Sequence, residues 1–316
     1  MGSLQGSEKK IGILGVPLGY GAGKAGSELG VEAIRLSRVR GTHLAGHLAD
    51  LGFDVKDYGN ASIVQPTKIA DPSENPKYVS EMTGSFRNIS ASLKQVLSDG
   101  AIPVILGGDH SIAIGTFGAV SEFYRRQNQE IGLIWFDAHA DINTPETSLS
   151  GNIHGMPLAV LLGEGHPDLL GLEGFSPKLN KKYFAHVGAR DLDIGERSRI
   201  NELGLRDQFF TMADVDKRGM LACVSDALAI ASQAPGGFAV TFDVDAIDPV
   251  FAPGSGTLVR GGASYREAHL ALEVIAEHGG MRSFEIVEVN PLLDQSNITV
   301  ELAVELILSA MGKTIL

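Results

Sequence analysis

Residues 131–141 read Ile-Gly-Leu-Ile-Trp-Phe-Asp-Ala-His-Ala-Asp, an apolar run that stops abruptly at Asp137, His139 and Asp141. The run is too short for a typical helix and apolar on both alternating faces, the form of a central strand in a parallel sheet covered on each side. Similar runs begin near Ile11 (IGILGV), Phe53 (FDV), Ile102 (IPVIL), Tyr183 (YFAHVG), Phe209 (FFTM), Phe238 (FAVTF) and Phe284 (FEIVEV). Helix-period segments separate them, for example 30–36, 79–97, 117–127, 265–278 and 300–310. No repeat, linker or low-complexity tract interrupts the alternation. It predicts one α/β domain over residues 10–316, preceded by a disordered leader at 1–9.

The chain has 316 residues, of which 44% are hydrophobic and 20% charged, enough to bury a large core. Its net charge of −12 disfavours nucleic acid and anionic membrane surfaces as partners. No apolar stretch is long enough to span a bilayer, and the first residues lack a signal-peptide core. Cys223 is the only cysteine, so no internal disulfide or thiolate metal cluster can form. A reducing, cytoplasmic location is the expectation.

In open α/β sheets ligands sit beyond the carboxyl ends of the strands, so the residues that follow each run carry the functional reading. After IPVIL comes Gly-Gly-Asp-His110; after IGLIWF come Asp137, His139 and Asp141; FAVTF leads into Asp243 and Asp245. The spacing by two places such side chains on one side wherever the chain stays extended. Four carboxylates at the inner edge of a sheet repel one another and lose hydration unless cations lie between them. Oxygen ligands with a minority of imidazole and no sulfur suit two Mn²⁺ ions, with carboxylates as bridges. His154, in the polar loop Ser150-Gly-Asn-Ile-His154, is within reach of the same pocket as a mobile acid/base. His43, His47, His166, His186, His269 and His278 lie outside such motifs and are assigned to surface or packing.

Gly21-Ala-Gly23-Lys-Ala-Gly26 matches GxGxxG, but Pro17 to Tyr20 separate it from the preceding strand and the helix starts later. The Gly-Lys-Ala step also lacks the Ser or Thr of a phosphate loop. These glycines are expected to shape a loop.

Over almost its whole length the sequence resembles the arginases of the ureohydrolase family, the bacterial members above all. The likeness is carried by GGDHSIAIG (107–115), DAHADINTPETSLSGNIHG (137–155), DVDAIDPVFAPGSGT (243–257) and EVNP (288–291). It implies a three-layer arginase/deacetylase-like domain with an eight-stranded parallel sheet flanked by helices. It also implies a hydrolase acting on C–N bonds of linear amidines, with L-arginine cleaved to L-ornithine and urea by a hydroxide bridging two Mn²⁺. By the same resemblance His110, Asp137, Asp141 and Asp243 hold one ion, and Asp137, His139, Asp243 and Asp245 the other. Glu288 orients the guanidinium, Asp141 moves the proton, His154 is the second acid/base, and Thr257 helps position Glu288 or the guanidinium.

Relatives that cleave agmatine or guanidinobutyrate share the metal ligands, so loops set the substrate. Asn143 and Ser150 match positions that bind the α-carboxylate, Asp193 one that contacts the α-amino group, and Ser148 and Glu196 water-mediated contacts. Tyr265-Arg266-Glu267 resembles a subunit-contact segment, which implies a homotrimer or homohexamer. The competing readings are another guanidine hydrolase, and a nucleotide-binding or non-catalytic metal-binding protein.

Overall fold

The structure is a computed structural model that describes residues 9–315. Residues 1–8 of the expected leader, and Leu316, lie outside the described residues. Eight strands run β1 (Lys10–Val16), β2 (Asp54–Asn60), β3 (Ile102–Gly107), β4 (Gly132–Phe136), β5 (Phe184–Val187), β6 (Phe209–Phe210), β7 (Phe238–Asp243) and β8 (Met281–Val287). They form one sheet in the order β2-β1-β3-β8-β7-β4-β5-β6, and every pair is parallel. The helices of the first half are α1 (Gly30–Leu36), α2 (Leu44–Asp50), α3 (Val79–Ser98), α4 (Ala113–Arg125), α5 (Pro157–Leu162) and α6 (Pro167–Leu170). Those of the second half are α7 (Ile194–Glu202), α8 (Met212–Arg218), α9 (Met220–Ala231), α10 (Tyr265–His278) and α11 (Ile298–Ala310).

The apolar strands divide the interior into two cores, as a sheet covered on both faces must. On one face α1, α2, α9, α10 and α11 pack on Ile134, Phe136, Val240 and Phe284. On the other, α3, α4 and α5 pack on Leu133, Trp135, Ile105 and Leu14. Neighbouring residues of one strand thus serve opposite layers, which makes a three-layer domain. Trp135, Phe184, Phe238, Phe242 and Phe284 are fully buried, and each contributes about 1.5–3 kcal/mol through removal from water.

The expected strands are all present, with starts shifted by one residue at β1, β2, β4 and β5 and by three at β8. β2 starts at Asp54 and is largely exposed, as befits an edge. β8 starts at Met281 and stops at Val287, so Glu288 and Val289 leave the sheet. α4 begins at Ala113 rather than near Phe117, because the 3-10 turn at His110–Ile112 feeds straight into it. Register positions the site. Phe136 pairs with Phe242 and Asp243 pairs with Val287, so Asp137, Asp243 and Glu288 emerge side by side from three adjacent strands. Gly108 is required where the β3 loop meets the β1 loop: a Cβ there would stand 1.8 Å from the Leu18 carbonyl oxygen.

Candidate metal centre

The carboxylates do not converge as the strand pleat predicts. β4 ends at Phe136, so Asp137, His139 and Asp141 lie in the loop beyond it, and Asp141 takes a left-handed φ of 52°. The turn is closed by His139 N–H donating to Asp137 Oδ1 at 2.7 Å. Asp243 is the last residue of β7, and Asp245 follows in a 3-10 turn whose N–H donates to Asp243 Oδ1 at 2.8 Å. Asp137 and Asp243 each accept from their own turn through Oδ1 and face His110 through Oδ2.

Two groups result. His110, Asp137 and Asp141 bring ligand atoms together, and so do Asp137, His139 and Asp245, with Asp137 common to both. His110 Nδ1 lies 3.0 Å from Asp137 Oδ2, 3.2 Å from Asp141 Oδ2 and 3.3 Å from Asp243 Oδ2. His139 Nδ1 lies 3.3 Å from Asp137 Oδ1 and 3.2 Å from Asp245 Oδ2. Asp243 thus joins the first group by proximity to His110.

The proton count on His110 tests whether a metal fits. Thr241 donates its hydroxyl to Glu285 Oε1 at 2.7 Å, so the same oxygen can only accept from His110 Nε2 at 2.9 Å. With one proton on Nε2, His110 aims Nδ1 at three carboxylates, and although burial opposes charge on the ring, those carboxylates hold its pKa well above the ordinary value. Nδ1 is buried and has no hydrogen-bond partner. Three carboxylates converging on one imidazole nitrogen demand positive charge between them, which a second proton meets in part and a divalent ion meets fully, so the donor set fits a divalent ion. Burial and then mutual repulsion push the carboxyl groups of Asp243 and Asp245 up, and that of Asp141 to about 6, a measure of the same unmet demand.

Other contacts fix the ring. Glu285 also accepts from Thr116, and Trp135 stacks on His110 at 4.2 Å while donating to Asp137 Oδ2. His186, read from the sequence as packing, is fully buried and hydrogen-bonds the His139 carbonyl at 2.7 Å. Asp109, passed over beside His110, is fully buried and ties the Gly21 amide. Thr241 and Glu285 had a legible signal, since each is a polar residue interrupting an apolar strand.

A cavity of about 200 Å³ opens on these ligands, lined by His139, Asp141, Asn143, His154, Asp191, Asp193, Glu196, Asp243 and Thr257. Asp191 was missed by the sequence reading. Asp193 caps the start of α7 and accepts from Asn143 Nδ2 at 2.8 Å. Glu196 completes that capping box and accepts from the amides of Ala140 and Asp141 through Oε1, so it shapes the aspartate loop as well as lining the cavity. Thr257 donates to Asp245 Oδ2 at 2.8 Å. Ser148 and Ser150 instead accept from the amides of Gly151 and Asn152 and do not line the cavity. Glu288, at φ 62°, accepts from His110 N–H at 3.0 Å and lies 3.2 Å from His154 Nδ1. Burial opposes charge on His154, but that contact together with the charges of Glu288, Asp109 and Asp141 outweighs it and raises its pKa to about 9.

A parallel sheet whose carboxyl edge gathers aspartates and histidines around one cavity defines an α/β enzyme with a metal-binding type of site. The arginase family model matches residues 9–312. The arginase of Bacillus subtilis (strain 168) is 42% identical, over 98% of this chain and 100% of its own. The crystal structure of the Bacillus caldovelox arginase superposes with a TM-score of 0.90 at 39% identity, covering 98% and 100% of the two chains. That of the Entamoeba histolytica arginase in complex with L-ornithine gives 0.81 at 29% identity, covering 97% and 99%. The chain belongs to the arginase family. It is a hydrolase of the arginase class, acting on C–N bonds of linear amidines, and it resembles the bacterial members.

Proposed function

We propose that this enzyme hydrolyses L-arginine to L-ornithine and urea at a pair of Mn²⁺ ions. The observation that carries the reading is the buried, unpartnered Nδ1 of His110 aimed among Asp137, Asp141 and Asp243. His110, Asp137, Asp141 and Asp243 would hold one ion, and Asp137, His139, Asp243 and Asp245 the other. When bound, the ions supply positive charge and a water acidified towards neutrality as the nucleophile.

The residues divide the remaining work. Glu288 offers a carboxylate for the guanidinium, held in place by the His110 amide. Thr257, fixed on Asp245, limits how that group can turn. Asp141 and His154 both face the cavity, where they can take a proton from the attacking water and deliver one to the leaving nitrogen. At the mouth, Asn143 and Asp193 are hydrogen-bonded to each other and present an amide and a carboxylate to an amino-acid head. Ser148, Ser150 and Glu196 would reach the same head through water or a small loop movement. The acidic lining suits a cationic substrate.

The second reading is hydrolysis of agmatine or guanidinobutyrate at the same metal site. The Asn143–Asp193 pair favours arginine, because a polar mouth built for an amino-acid head is left unpaired by agmatine. Urea release from L-arginine, agmatine and guanidinobutyrate after Mn²⁺ loading decides between them. Urea from arginine in large excess supports the proposal, and an equal or greater yield from either other substrate refutes it. The lone Cys223 is buried and free, which fits a cytoplasmic enzyme. Among the described residues no helix is long and apolar enough to cross a membrane. Tyr265 and Arg266, at the start of α10, are the residues we propose for a trimer or hexamer contact.

A further inference from the structure

At the edge of the sheet opposite the metal centre lies a cavity of about 410 Å³, a size typical of small-molecule sites. Ile131, which leads into β4, and Leu179 and Lys181, which precede β5, belong to its wall, so it sits at the amino ends of the strands. Asp137 lies beyond the other end of β4, roughly 20 Å away at the rise of a strand. α4 spans the same gap: the His110 turn stands at its start, and Arg125, its last residue, lines the cavity.

Arg125, Lys178 and Lys181 line this cavity, and among the described residues none of them forms an ion pair with a carboxylate. Arg125 lays its guanidinium over the Phe175 ring at 4.6 Å, and its side-chain N–H groups have no acceptor among the described residues. Lys181 commits one proton to the Leu203 carbonyl at 2.8 Å. Buried Lys178 donates to the carbonyls of Leu170 and Phe175 at 3.0 and 3.1 Å, which fixes the loop that carries Phe175. The one carboxylate on the wall, Glu130, accepts from Asn180 Nδ2 at 3.0 Å. Carbonyls at the end of α4 would repel an anion, but they are already bonded: Phe123 by Gln127 Nε2, Tyr124 by the Gln127 and Gln129 amides, and Arg125 by the Asn128 amide. The wall is therefore cationic, on a chain whose net charge is −12. Ile131, Leu162, Phe175, Leu179 and Leu203 give the cavity an apolar side as well.

An inorganic anion would use the cations alone, whereas a cavity of this size with apolar walls has room for an organic body too. We propose that this cavity binds a small organic carboxylate, its anionic head on Arg125 and Lys181 and its apolar body against Phe175, Leu162 and Leu179. A guanidinium offers two parallel N–H groups to the two oxygens of a carboxylate, and the Phe175 ring orders it in advance. The site takes no part in the chemistry at the metal centre and does not rest on the substrate assigned there.

The test is titration calorimetry on the Mn²⁺-loaded full chain with 3-phenylpropanoate, its neutral amide, 3-phenylpropylammonium and inorganic phosphate. The carboxylate is expected to bind about tenfold or more tighter than each of the other three. Arg125→Gln and Lys181→Gln are each expected to weaken it about tenfold, because each removes a charged donor from the head. Both side chains are exposed, so the variants keep the fold, which their thermal unfolding midpoints check. Carboxylate binding that both variants leave unchanged lies elsewhere, the metal centre included, and overturns the proposal. No binding at millimolar carboxylate overturns it as well, and so does equal binding of the amide, the ammonium compound or phosphate.

Discussion

The protein buries charge in two places and satisfies it in two ways. Against α3 and α4, Lys94 meets Glu173 and stands 3.5 Å from Glu122, while Arg126 caps Glu122 and buried Lys178 donates to the carbonyls of Leu170 and Phe175. There the chain supplies its own cations. At the carboxyl edge of the sheet, no lysine or arginine among the described residues forms an ion pair with Asp137, Asp141, Asp243 or Asp245, whose ion-pair partners are the imidazoles of His110 and His139. A buried cluster closed by its own lysines is structural, whereas one left open calls for cations from solution.

The largest expected effect comes from breaking the open cluster at its shared member. Asp137→Ala belongs to both ligand groups, so activity is expected to fall to background, with elemental analysis showing fewer than two bound ions. Two ions retained in that variant would refute the assignment. Next comes Thr241→Val, which removes the hydroxyl that fixes the proton on His110 Nε2. A loss of about 10- to 100-fold in Mn²⁺ affinity is expected, and unchanged affinity would remove the orienting role of Thr241. Smaller again is Asp193→Asn, which keeps an oxygen to cap α7 but deletes the charge. KM for arginine should rise roughly tenfold or more with metal content intact, since only the amino-acid head is touched. Loss of metal would place Asp193 elsewhere in the scheme.

The smallest effect sharpens the closed cluster. Burial pulls Lys178 down to about 8 from its ordinary 10.5, against the opposing charge of Glu173. The unfolded chain keeps its proton up to the higher value, so between about 8 and 10.5 the unfolded state binds more protons and this group makes stability rise with pH. Denaturant unfolding across that window should show the rise in wild type and lose it in Lys178→Met. An identical slope in both would show that Lys178 is not desolvated.

Much of this was legible in the sequence for definite reasons. Short apolar runs such as Ile131–Phe136 read as central strands once their length is weighed, and the rule that ligands gather beyond strand ends then singled out Asp137, His139, Asp141, Asp243 and Asp245. What the sequence could not give was the route by which those side chains converge. Pleat alternation implied an extended chain, whereas left-handed Asp141 and the 3-10 turn at 244–246 do the work, and backbone conformation at single residues leaves no periodic trace. The contacts around His110 were hidden because Thr241 and Glu285 come from separate strands and meet only through register. Ser148 and Ser150 show a further limit: in the fold their hydroxyls accept from the amides of Gly151 and Asn152, a loop arrangement that no residue spacing announces.

The account turns on whether the open cluster takes two cations at once. Electron paramagnetic resonance during titration of Mn²⁺ into metal-free protein tests this directly. The prediction is two ions per chain and an exchange-coupled signal from a pair that shares Asp137. A single isolated Mn²⁺ spectrum at saturation, or no binding, would contradict it.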